Sequence, residues 1–151
     1  MLLTGTFSRA VDEKLRIAIP KPLRDALGAL AKGVLYITPG TDGSLALYTE
    51  DALAALAERL ANSSPNAQDV RAFSRLFYAR AQAVELDGQG RVRVPPELAQ
   101  LSGLDKEAVL IGVHDHLELW DRARWEQYVK SKQGDYDQIA EAAFQNIPRG
   151  A

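Results

Sequence analysis

Apolar and polar residues alternate along this chain in short runs, and the runs come in two matching sets. Residues Leu2 to Val11 alternate loosely around Phe7, and "RIAIP" then places Ile17 and Ile19 on one side of a strand that Pro20 ends. Later "AQAVEL" is followed by "RVRVP", with Val92 and Val94 in the same relation to Pro95. A period of two predicts strands, and the first strand and the motif strand after it are expected to form a hairpin. After each Pro a short helix is predicted, with Leu23 and Leu27 before Gly28 in one set and "PPELAQLSG" ending at Gly103 in the other.

"VLYI" and "LALY" flank a Gly/Pro/Asp loop, and "VLIGV" and "LELW" flank His114 to His116, so each set predicts a second hairpin. The period then changes to 3.6. Leu53, Leu56, Ala57 and Leu60 mark one helix, and Trp125, Tyr128 and Val129 mark its counterpart, with Asp121 placed to cap it. "NSSPNAQ", Asn62 to Gln68, offers no apolar face and predicts a linker. Val70, Phe73 and Phe77 give another helical stripe. Tyr136, Ile139, Ala140, Ala143 and Phe144 give a last one, expected to dock on the chain's own core or, alternatively, on a neighbouring subunit. "NIPRGA" at the end is expected to fray.

The two sets are copies. "DEKLRIAIP" from Asp12 returns as "DGQGRVRVP" from Asp87, and the offset of 75 also carries Arg16 to Arg91, Leu23 to Leu98 and Val34 to Val109. "LALY" and "LELW" stand at an offset of 72, which predicts three extra residues in the first copy's loop after Ile37. The expected organisation is therefore α+β: a first repeat over 1–61, a linker over 62–68, and a second repeat with a C-terminal helix over 69–151. Half of 151 residues is a marginal size for an independent fold, so the copies are expected to share one core.

Composition narrows the function. Hydrophobic residues make up 46% and charged ones 25%, as in ordinary globular chains. No apolar run is long enough to span a membrane and the N-terminus lacks a signal-peptide pattern, so a cytoplasmic protein is expected. The absence of Cys excludes disulfides and thiolate metal sites. A net charge of −2 means that any nucleic-acid contact must come from a local patch.

Candidate chemistry of other kinds is thin. His114, Asp115 and His116 include metal-ligand types, but adjacent turn residues diverge and nothing completes a site, so no metal is expected. Gly88 and Gly90 precede a strand, not a helix, which excludes a dinucleotide fingerprint. Nucleophile and phosphate-loop motifs are missing, so neither enzyme activity, cofactor nor small-molecule substrate is expected. Trp120, Trp125 and Tyr128 have the spacing of core packing more than of a base-stacking platform.

The two D-x-x-x-R turns, the strands ending in Pro, the block from Leu76 to Asp121 and "RARW" after it resemble the MraZ family. The resemblance covers Met1 to about Phe144. It implies two tandem swapped-hairpin, AbrB-type β-barrel repeats with flanking helices. It also implies a transcriptional regulator of the division and cell-wall gene cluster, nucleoid-associated, that binds short direct repeats in double-stranded promoter DNA as a ring-shaped homo-oligomer. The alternative is an antitoxin-like protein-interaction module of the same fold. By matching position Arg16 and Arg91 are the motif arginines, with Lys14 beside the first. Asp12, Asp87 and Gly90 build the turns. Leu15 departs from the family's Gly, and if that Gly has positive φ, Leu15→Gly is expected to tighten DNA binding.

Local charge separates the copies. Residues 9 to 24 hold Arg9, Lys14, Arg16, Lys21 and Arg24 against Asp12 and Glu13, whereas residues 84 to 99 hold Arg91 and Arg93 against Glu85, Asp87 and Glu97. The first copy, through Arg9, Lys14 and Arg16, is therefore expected to face DNA. Arg91 is expected to act more on folding through Asp87, with a smaller part in binding.

Overall fold

The computed structural model describes residues 1–28, 32–63 and 66–148, and in them the period-two runs are strands and the 3.6-period runs helices. The first repeat supplies β1 (Thr6–Ala10), β2 (Arg16–Ala18), α1 (Lys21–Leu27), β3 (Val34–Pro39), β4 (Leu45–Tyr48) and α2 (Glu50–Ala61). Then come α3 (Gln68–Arg80), β5 (Gln82–Glu85), β6 (Arg91–Arg93), α4 (Pro96–Leu101), β7 (Glu107–Val113), β8 (His116–Asp121), α5 (Arg122–Lys132) and α6 (Tyr136–Gln145). The loop between β3 and β4 covers residues 40–44 and that between β7 and β8 only 114–115, which accounts for the three-residue difference between the offsets. Thr49 and Asp121 cap α2 and α5 by accepting the N–H of Ala52 and Arg124 at 3.2 and 3.4 Å.

The strands interleave the repeats. One antiparallel sheet has the order β1-β7-β8-β4-β3-β5, so each repeat's first strand pairs with the other repeat's hairpin. At the centre Leu45 stands opposite Leu119 and Leu47 opposite Leu117, a pairing that exchanges equivalent residues. β2 and β6 form a separate two-stranded ribbon centred on Ile17 opposite Val92. This corrects the expected hairpin of β1 with β2. The closing bond of the turn, Asp12 N–H to Arg16 O at 3.1 Å, joins them, while their ladders run to β7 and β6. A local hairpin would leave the three-residue motif strands without a cover for Ile17 and Val92. Swapped, both are 1% exposed, a burial that stabilises by about 1.5–3 kcal/mol per side chain.

Sheet, ribbon, α1 and α4 enclose one core in which Ile17, Ile19, Leu23, Val92, Val94 and Leu98 meet Leu35, Leu45, Leu110 and Leu119. The α+β class and the two repeats are as expected, but the sheet is not a closed barrel. Among the described residues its ladder ends at β1 on one side and β5 on the other. The N-terminal segment lies against the β7–β8 end, where Leu3 N–H donates to His114 O and His114 N–H to Leu3 O.

Two helical stripes are left partly uncovered by the chain's own core. Phe77 is buried, but Phe73 on the same helix is 42% exposed beside an exposed Leu76. On α6 Tyr136 and Phe144 are about 70% exposed and Ile139 is also exposed, so this stripe does not dock on the chain's own core. Within the expected linker, Ser64 and Pro65 lie outside the described residues, as do Arg149 to Ala151 of the expected fraying end.

Candidate nucleic-acid interface

Each motif turn is built around its Asp. Asp12 Oδ1 accepts the N–H of Lys14 at 2.9 Å and of Arg16 at 2.8 Å, while Oδ2 takes the Arg16 guanidinium through Nε at 2.6 Å. Asp87 repeats the arrangement, with Gln89 and Arg91 N–H on Oδ1 at 2.9 Å and Arg91 Nε on Oδ2 at 2.9 Å. The short carboxylate satisfies two turn donors and still reaches the side chain four residues on. Both carboxyls are held below their ordinary value, first by the backbone N–H of the motif Arg and then by its side chain and the other N–H, against some desolvation.

Leu15 and Gly90 occupy the same left-handed conformation, at φ 60° and 73°. The departure from glycine therefore leaves the first turn's shape intact, at a strain of about 1–2 kcal/mol for an L side chain. Part of that is offset because Leu15 is half-buried and packs on the core.

The ribbon brings the two turns together. Arg16 stands opposite Arg93 and Ala18 opposite Arg91, on the face away from the buried Ile17 and Val92. Ile19 N–H donates to Gly90 O at 2.9 Å and Val94 N–H to Leu15 O at 2.8 Å, so each turn is tied to the strand of the other copy. The motif arginines donate to their Asp through Nε, and among the described residues their Nη groups have no protein partner. Their side chains are 34% and 27% exposed. Such a face can present planar donors to phosphate or to base edges.

Lys14 is exposed at the first turn. Arg9 is elsewhere: it sits on the edge strand β1 opposite Ala108, on the side that carries Phe7, with Nη1 on Ser8 O at 2.8 Å. Arg93 and Arg24 were not singled out by sequence. Arg93 reaches the exposed face because β6 runs against β2, and Arg24 donates through Nε to Ile19 O at 3.0 Å and lies over Gly90 of the other turn. A linear charge window counts Arg24 with the first copy and Arg93 with the second and does not show that each lies beside the other copy's turn.

Other candidates are structural. His114 opens the β7–β8 turn at φ 66°, and His116 Nδ1–H donates to the Asp115 carboxylate at 2.8 Å while the ring stacks on Tyr48. Among the described residues no three His, Cys, Asp or Glu side chains gather to hold a metal. Trp120 is 3% exposed and packs against Trp125 and Tyr128 at 5.0 to 5.3 Å between ring centroids, with its Nε1 on Glu118, so the aromatic group is packing. No helix among the described residues is long and apolar enough to cross a membrane.

The comparisons with known proteins agree with this arrangement. The family model described as "MraZ protein, putative antitoxin-like" matches twice, over residues 2–76 and 77–147. "Transcriptional regulator MraZ" of Thermomicrobium roseum is 40% identical over 82% of this chain and 84% of its own. The proteins of that name from Alkaliphilus oremlandii and Rhodococcus jostii are 37% and 36% identical, over 92% and 97% of this chain and 94% and 99% of theirs. With two copies of the family repeat woven into one sheet and relatives matched along nearly their whole length, the chain belongs to the MraZ family of transcriptional regulators.

Proposed function

We propose that this regulator binds double-stranded promoter DNA through the outer face of the β2–β6 ribbon, with Arg16 and Arg91 as paired contacts and Lys14 beside them. The observation that carries this reading is the repeated Asp–Arg turn. Two guanidiniums are aimed from one ribbon, each fixed at Nε and open at Nη. Rigid arginines lose little entropy on meeting a phosphate row or a guanine edge.

One such ribbon on an acidic chain gives a small contact area, so the operator is read as short direct repeats by several chains held in a ring-shaped homo-oligomer. The exposed faces of α3 and α6, with Phe73, Leu76, Tyr136, Ile139 and Phe144, support assembly between copies. The genes of division and cell-wall synthesis are the expected targets, within the cytoplasm and nucleoid. A gel shift with DNA from upstream of the chain's own gene, against scrambled DNA at two salt concentrations, tests the reading. Specific retardation that weakens with salt is expected; equal affinity for both DNAs would overturn sequence-specific recognition.

A further inference from the structure

Arg16 and Arg93 stand directly opposite each other on the ribbon. The bonds Ile19 N–H to Gly90 O and Val94 N–H to Leu15 O set the alternation of the ladder, and they make Arg16–Arg93 a non-hydrogen-bonded pair, the kind in which side chains come closest. Like charges in that position repel. Asp12 answers one of the two through the Arg16 Nε, and among the described residues Arg93 forms no ion pair, although Glu85 lines the same shallow hollow. The equivalent of Arg93 in the first copy is Ala18, so the second guanidinium is not required to build the ribbon.

We propose that Arg93 is a DNA-contacting residue that shares one phosphate with Arg16. An anion between the two guanidiniums turns a repulsive cross-strand pair into a bridged one, through Nη donors of Arg16 that Asp12 leaves open and the whole fork of Arg93. The motif turn in the first copy thus takes its second phosphate ligand from the other copy. This rests on the ribbon reading of DNA binding.

The test uses the full chain and Arg93→Gln, which keeps the aliphatic stem and removes the charge, with Arg16→Ala and wild type alongside. Affinity for the upstream DNA is measured at several salt concentrations, and melting temperature without DNA. For Arg93→Gln the expected result is several-fold weaker binding, a shallower log–log salt slope that changes by less than the about 0.9 of a wholly lost phosphate, because Arg16 keeps its hold on the shared one, and a melting temperature no lower than wild type. If wild type and Arg16→Ala bind alike, the ribbon reading itself fails. If Arg16→Ala weakens binding while Arg93→Gln keeps the wild-type slope, Arg93 is not a phosphate ligand. A lower melting temperature for Arg93→Gln with an unchanged slope assigns it a structural role and overturns the proposal as well.

Discussion

The side chain of Arg24 occupies the space that a Cβ on Gly90 would need, with Cδ and Nε at 2.8 and 2.9 Å from that position. Its Nε holds Ile19 O, and Ile19 N–H holds Gly90 O, so three residues from two repeats lock the second turn. The offset that carries Leu15 to Gly90 carries Arg24 to Ala99. The first copy thus has a large residue at both positions and the second a small one at both, and across the copies the large Arg24 lies over the small Gly90. Gly90→Leu should therefore cost more than the about 1–2 kcal/mol of left-handed strain, since it must also displace Arg24. In urea unfolding, Gly90→Leu with Arg24→Ala should lose less than the two single changes added, by about 0.5 kcal/mol or more. Additive losses would show that the two side chains do not compete for space.

Leu15→Gly follows a different course from the one expected on sequence. Because Leu15 already has the conformation of Gly90, and Arg16 is held by Asp12 as Arg91 is by Asp87, glycine has no misaimed arginine to correct. Relief of about 1–2 kcal/mol of strain is offset by lost packing and by the greater freedom of glycine in the unfolded chain. Stability should change by less than about 1 kcal/mol and DNA affinity not at all. Tighter binding in the variant would show that the leucine does restrain the turn.

Much of this was legible in the residues. Period-two runs, terminating prolines and the two offsets located the hairpins, the short helices and the loop insertion, because those are set by local spacing. What the spacing could not show is which strand pairs with which: β2 has three residues, and its partner lies 75 positions away. That single missing fact hid that Arg93 lies beside Arg16 and Arg24 beside Gly90, and that Arg9 stands on the edge strand β1 and not on the ribbon. The outward stripe of α6 was equally ambiguous, since an apolar face has the same period whatever covers it.

At Gly112 the N-terminal segment passes so close that a Cβ would lie 2.3 Å from Thr4 N and 2.5 Å from Leu3 C. Backbone cannot give way as a side-chain tip can. Gly112→Ala should release residues 1–5 from β7, exposing Leu3 and costing about 1–3 kcal/mol. Removing residues 1–5 should make the same substitution nearly silent. Equal costs in the full and shortened chains would place the clash elsewhere.

The depressed Asp12 and Asp87 carboxyls fix a pH dependence with a definite sign. Their folded-state pKa values lie below the ordinary 3.8, so their stabilisation is complete above that value and is lost as pH falls through the folded values. Asp12→Asn with Asp87→Asn keeps an oxygen for the turn N–H groups but sets an amide against each Arg Nε. The double variant should be less stable at pH 7 and should lose less than wild type between pH 5 and about pH 2. Parallel losses in denaturant titrations across that range would show that these two carboxyls do not carry the acid sensitivity.

The two motif arginines should prove equal, against the inequality suggested by charge along the chain. Arg16 and Arg91 make the same bonds to their Asp, are exposed to a similar degree, and face outward from one ribbon whose symmetry exchanges them. The extra cations are also shared out: Arg93 of the second copy stands beside Arg16, and Arg24 of the first lies against Gly90 at the turn of Arg91. Arg16→Ala and Arg91→Ala should each weaken binding several-fold and flatten the salt slope, by at most about 0.9. Each should also lower the melting temperature slightly, because a half-exposed ion pair contributes little to folding. Lys14→Ala should reduce affinity and slope without changing stability, as its side chain holds no partner among the described residues. A loss confined to Arg16→Ala, with Arg91→Ala affecting only the melt, would mean that a single repeat faces the DNA despite the symmetry of the ribbon.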